Sequence, residues 1–129
     1  MDGRLLPGYT PADMIAELRR LVGGDVEFGV ISHDTGPSEP DMGLFDTLSG
    51  ILREADPEGI PVPLLNPAFT DARFFARLGI QTYGFLPMKL PTGFNFNETI
   101  HAAGERIPAE AMSFGTDAIY KALQRFGPT

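Results

Sequence analysis

Two histidines and no cysteine limit the chemistry open to this chain of 129 residues. Disulfides, thiolate zinc sites and a cysteine nucleophile are excluded, so any metal must be held by nitrogen and oxygen. His101 is the stronger metal-ligand candidate. It follows a Gly- and Asn-rich loop in the run Asn97-Glu98-Thr99-Ile100-His101-Ala102-Ala103-Gly104-Glu105, where an imidazole can project into a cleft. Glu105, four residues on, would stand one helical turn away and either orient the ring from behind or ligate beside it. A catalytic zinc needs about three protein ligands and an open position. One His with one Glu falls short, so further ligands must come from elsewhere, and a histidine near a helix start also serves as a plain capping or surface residue. His33, beside Asp34 in a polar stretch, reads as structural.

A second cluster, Thr70-Asp71-Ala72-Arg73, opens a short helix. The amides of a helix start favour anions, and a guanidinium adds a planar fork suited to a carboxylate. The cluster is a candidate clamp for a substrate carboxylate; its plain alternative is a capped helix with a surface ion pair of small energetic weight. The chain holds no Gly-rich phosphate loop, no Ser/His/Asp constellation and no stacked-aromatic platform. Phe45, Phe74 and Phe75 read as core.

The elements that must position these residues are legible from periodicity. Thr10-Pro11, with Asp13 completing a capping-box pattern, starts a helix whose apolar face is Met14, Ile15, Leu18, Leu21 and Val22 and which Gly23-Gly24 stops. Val26, Phe28 and Val30 then alternate with Glu27, Gly29 and Ile31, the period of a strand with one buried face. His33 to Pro40 carries the densest run of turn residues and predicts a linker at about 36–40 between a first lobe, 1–35, and a second, 41–129. The stripe Leu44, Phe45, Leu48, Ile51, Leu52 predicts a helix over 41–55. Residues 60–65 suit an edge strand because Pro61 and Pro63 cannot donate to a ladder. A short helix over 71–78, a buried strand over 80–86, a loop over 87–96 and a terminal helix over 108–126, with Met112, Ile119, Leu123 and Phe126 inward, complete the reading. Strands alternating with helices predict an α/β fold.

Ten basic against seventeen acidic residues give a net charge of −7, with no basic stripe of the kind that tracks phosphates. That balance points away from nucleic acid. The chain has no signal-like apolar run and no stretch of ~18 apolar residues, which points away from membranes and to a cytoplasmic location.

Several spaced motifs in register resemble one family. Thr70-Asp71-Ala72-Arg73-Phe74-Phe75, then Gly79-Ile80-x-x-Tyr83-Gly84, then Asn97-x-Thr99-Ile100-His101-x-x-x-Glu105-Arg106-Ile107 are similar to the C-terminal part of the ArgE/DapE family of zinc-dependent exopeptidases and deacylases. Acetylornithine deacetylase, succinyl-diaminopimelate desuccinylase, aminoacylase and glutamate-releasing carboxypeptidases belong to it. Asp2-Gly3-Arg4-Leu5-Leu6-Pro7-Gly8 and the helix after it resemble the second half of that family's lid, or dimerisation, domain. The resemblance implies a partial lid over 1–35, strand-helix-strand, followed by the closing part of an α/β catalytic domain over 41–129. It implies that His101 is the last metal ligand of a two-zinc site, that Glu105 is its acidic neighbour, and that Thr70, Asp71, Arg73 and Asn97 recognise the carboxylate or amide end of a small peptide or N-acyl amino acid.

Two departures touch that site: Asn66-Pro67-Ala68-Phe69 stands where many members have a glycine pair, and Gly104 where an Asp or Asn is usual. The family's Asp-x-His motif, bridging Asp and Glu-Glu pair, one Glu of which is the general base, have no counterpart here. Met1 falls where the lid strand would already be running. The expectation is a C-terminal fragment of a metal-dependent hydrolase of peptide or N-acyl amide bonds, with no complete catalytic set and inactive alone, its partner being the missing N-terminal half or a second copy. The competing expectation is a non-catalytic module that oligomerises or binds a partner.

Overall fold

The computed structural model describes residues 2–34, 39–66 and 68–126. Among the described residues five helices occur in chain order: α1 (Pro11–Val22), α2 (Phe45–Ala55), α3 (Ala72–Ala76), α4 (Phe96–Thr99) and α5 (Ala109–Arg125). Among the described residues there is no strand and no sheet, so the fold is all-helical and the expected α/β class is overturned. The segments that alternate or run apolar, 26–31, 60–65 and 80–86, are irregular and unladdered. The physical reason is that alternation fixes which face of a strand would be buried but does not supply a neighbour to pair with. Ile31, Ile60 and Leu64 are instead almost wholly exposed. Pro61 and Pro63 remove two ladder donors as well.

The chain divides into two compact units, each discontinuous in sequence: Met1–Asp41 with Leu65–Tyr83, and Met42–Leu64 with Gly84–Thr129. The linker expected at 36–40 lies largely outside the described residues.

In the first unit, α1 starts where its residues dictate. The Thr10 backbone N–H donates to Asp13 Oδ2 at 2.8 Å, the Thr10 hydroxyl donates to the same oxygen at 2.6 Å, and the Asp13 N–H donates back to Thr10 Oγ1 at 3.3 Å. These bonds, the hydroxyl's first, hold the Asp13 carboxyl below the usual carboxylate range. Gly23, at φ 83°, ends the helix in a conformation that a side chain disfavours.

In the second unit, α2 and α5 pack on one another and form the core. The buried residues that the two helices contribute are small or compact, Ser49 and Ile51 from α2 and Ala111, Gly115 and Ala118 from α5, and Pro87 is buried with them in this unit. The Ser49 hydroxyl donates to the Asp46 carbonyl at 3.2 Å and accepts from Arg53 Nη1 at 3.3 Å, so its burial leaves no group unsatisfied. Arg125 Nη2 donates to Glu54 Oε2 at 2.6 Å, joining α5 to α2 and holding the Glu54 carboxyl low.

The expected inward stripe of α5 is the outward one. Met112, Ile119, Leu123 and Phe126 are 58%, 41%, 66% and 71% exposed. The helix turns its small residues inward because they let its backbone come close: a Cβ built on Gly115 would lie 2.7 Å from the Pro87 carbonyl oxygen. Phe74 and Phe75, expected in the core, are about half exposed, at 47% and 48%. Among the described residues, no helix is long and apolar enough to cross a membrane.

Candidate functional site

Within the first unit, the N-terminal segment, residues 32–34 and residues of the stretch 68–82 line an open-sided cleft of about 720 Å³. Thr70 and Arg73 both line it, whereas Asp71 is exposed and does not. The Thr70 hydroxyl accepts from the Ala72 N–H at 3.3 Å, which starts α3; the Asp71 side chain, at the cap position, makes no capping bond.

Arg73 is the organising side chain. Its guanidinium carbon lies 3.8 Å from the centre of the Phe69 ring and 4.5 Å from that of Phe74, while Arg4 approaches Phe69 at 4.8 Å and Arg77 approaches Phe74 at 5.7 Å. Each cation–π contact contributes about 0.5–1 kcal/mol. The rings leave the guanidinium's donors to be satisfied in its own plane. Asp34 gives Arg73 only long-range support, Oδ2 to Nη1 at 3.7 Å, because its other oxygen accepts from Arg77 Nη2. The Arg73 Nε is buried with no hydrogen-bond partner. An unmet buried donor of this kind costs about 1–3 kcal/mol. Three guanidinium groups, Arg4, Arg73 and Arg77, engage two carboxylates, Asp2 and Asp34, and with the exposed Asp71 beside them the stretches 2–10, 32–34 and 68–82 are formally neutral.

Asn97, His101 and Glu105 belong to the second unit. Asn97 lies exposed in the single turn of α4, its N–H accepted by the capping Asn95 Oδ1 at 3.2 Å. His101 follows α4 at φ 57°, the one non-glycine residue in the left-handed region among those described. Residues 100–105 form reverse turns, with Ala102 N–H to the Thr99 carbonyl and Glu105 N–H to the Ala102 carbonyl at 3.1 Å, and Gly104 at φ 75° between them. The one-turn helical relation between His101 and Glu105 is therefore not made, and both side chains are exposed. Among the described residues, no three of His, Asp and Glu come together in a group that could hold a metal ion. The described donors do not form a zinc site by themselves, and no chemical step of this chain is derived through one.

Sequence reasoning placed Arg73 and Thr70 at a site but missed Asp34, Phe69 and Arg4. Asp34 and Arg77 are 43 residues apart, and nothing local signals their pairing. Phe69 carried a weak signal, an aromatic directly before a Thr-Asp-x-Arg run. His33, read as structural, lines the cleft.

No family model matches the chain, and neither a curated protein nor a solved structure matches it.

Proposed function

We propose that this chain is the carboxylate-recognising C-terminal part of a metal-dependent hydrolase of peptide or N-acyl amide bonds, and that it performs no hydrolysis by itself. The observation that carries the reading is the Arg73 guanidinium, lying against the Phe69 and Phe74 rings at a cleft of the first unit and held by Asp34 only at 3.7 Å. A ligand carboxylate at the accessible part of that side chain, which is 28% exposed, would pair with it in place of Asp34, and Thr70 adds a hydroxyl at the same wall. The order of the Thr-Asp-x-Arg, Gly-Ile and Asn-to-Glu motifs supports the family assignment, and with it His101 as a single metal ligand and zinc as the metal of the complete enzyme.

Amide hydrolysis needs a metal-activated water and a general base. The described residues bring together no group that could hold the metal, so the part proposed for this chain is to bind and orient an acid-ended substrate. The test is calorimetric or NMR titration with N-acetylglycine and its methyl ester. The acid should bind, the ester should bind at least tenfold more weakly, and Arg73→Lys should remove the difference. Equal binding of acid and ester would sink the reading of the clamp; turnover of an N-acyl amino acid by the chain alone would sink the claim of inactivity.

A further inference from the structure

Of the two rings against the Arg73 guanidinium, Phe69 alone lines the cleft, and it takes a second cation as well. The guanidinium carbon of Arg73 lies 3.8 Å from its centre and that of Arg4 lies 4.8 Å from it. Two like charges at one ring repel, and each has a carboxylate to offset it. Arg4 is closed by Asp2 at 2.7 Å, whereas Arg73 has Asp34 only at 3.7 Å. The pair is therefore unequal. Arg4 is committed to an internal partner and packs on the ring, while Arg73 keeps donor capacity for a ligand.

The backbone on both sides of Phe69 is tied by short-range bonds. Asn66 Oδ1 accepts from the Ala68 N–H at 3.0 Å, and the Thr70 hydroxyl accepts from the Ala72 N–H at 3.3 Å. The ring is nonetheless 58% exposed, so its burial contributes little to the packing of the unit.

We infer that Phe69 is a positioning residue for the Arg73 clamp, its face restricting the guanidinium to one plane so that the donors at the accessible edge are aimed before a ligand carboxylate arrives. The inference rests on the carboxylate-recognition reading above. A free arginine side chain populates many rotamers and loses that freedom on binding, and a ring that holds it in advance removes part of the cost. Stacking occupies the flat face of the guanidinium and leaves its edge, where a planar carboxylate pairs best. The benefit reaches only a ligand that pairs with the guanidinium. One exposed cation–π contact corresponds to about two- to fivefold in affinity.

The experiment is NMR titration of the full chain with N-acetylglycine and its methyl ester, in the wild type, Phe69→Leu and Phe69→Trp. Phe69→Leu should lower the affinity for the acid about two- to fivefold and leave that for the ester unchanged. Phe69→Trp keeps a stacking face and should return the acid to the wild-type level. In an Arg73→Lys background Phe69→Leu should change neither affinity, because the group it positions is gone. Without ligand, the Arg73 Nε–H proton should move downfield in Phe69→Leu as the shielding of the ring is lost. Far-ultraviolet circular dichroism should be the same in all three chains. A wild type that prefers the acid tenfold, together with a Phe69→Leu variant that keeps that preference, overturns this inference and leaves the clamp standing. Equal binding of acid and ester by the wild type overturns both. Parallel loss of acid and ester affinity in Phe69→Leu, failure of tryptophan to rescue, or an unmoved Arg73 resonance also overturns the role given to Phe69.

Discussion

Gly50 in α2 and Gly115 in α5 are both helix-interior glycines of the second unit, and alanine at the two positions should move stability in opposite directions. Glycine in a helix interior costs about 0.5–1 kcal/mol relative to alanine because its backbone loses more freedom on folding. At Gly50 a Cβ meets nothing within 4 Å, so Gly50→Ala should recover that amount in full. At Gly115 the same gain is opposed by a Cβ placed 2.7 Å from the Pro87 carbonyl oxygen. The obstacle is backbone rather than the end of a flexible side chain, so relief requires α5 and the Pro87 segment to separate and loosens the seam between α2 and α5. Overpacking of this kind costs about 1–3 kcal/mol. Gly115→Ala should therefore be destabilised by about 1 kcal/mol net, and the two variants should differ by about 2 kcal/mol. For a unit of this size each kcal/mol shifts Tm by about 4–8 °C, which puts the variants about 8–16 °C apart. Thermal and urea denaturation followed by circular dichroism reads both quantities. Equal stabilisation by the two alanines would refute the close approach of α5 to Pro87 and with it the account of why α5 turns its small residues inward.

Three further predictions concern the cap, the cleft and the metal. Because Asp13 titrates below its unfolded value through its bonds to Thr10, its contribution to α1 is present above the unfolded carboxylate pKa of about 4 and is lost as pH falls through the lower folded value. Amide chemical shifts of residues 11–14 should report fraying of α1 in that acidic window, and Thr10→Ala should weaken the pH dependence without removing it, since the residue 10 backbone N–H still donates to Asp13. Asp34→Asn removes the internal carboxylate that engages Arg73 and Arg77, so affinity for N-acetylglycine should rise several-fold at low salt; a fall would mean that Asp34 positions Arg73 rather than competing for it. Zinc titration of the chain and of His101→Ala should give no tight site in either, since the donors do not gather. Tight binding that His101→Ala removes would contradict the arrangement of residues 97–105.

The helices were the legible part of this fold. Thr10, Pro11 and Asp13 specify the start of α1 through chemistry confined to four residues, and Gly23 ends it through a backbone angle that other residues resist. The stripe around Ile51 located α2, although it starts at Phe45 rather than 41 because the first residues of the expected span make a turn, with the Phe45 N–H donating to the Met42 carbonyl at 3.0 Å. What failed was every inference that needed a partner from far along the chain. Alternation over 26–31 and an apolar run over 80–86 describe a preference for burial, and preference alone makes no ladder. The same limit reversed α5: an amphipathic pattern with large residues on one side and small ones beside them does not say which side is used, and close helix approach selected the small one.

The candidate site divides along the same line. Thr70 and Arg73 were legible because a capped helix start and a guanidinium three residues later form a local motif. The residues that give Arg73 its environment, Asp34 and Arg4 above all, come from separate stretches and have no local signature. His101 and Glu105 show the converse case, in which a correct sequence interval was assigned a helical geometry that Gly104 and the left-handed His101 do not permit.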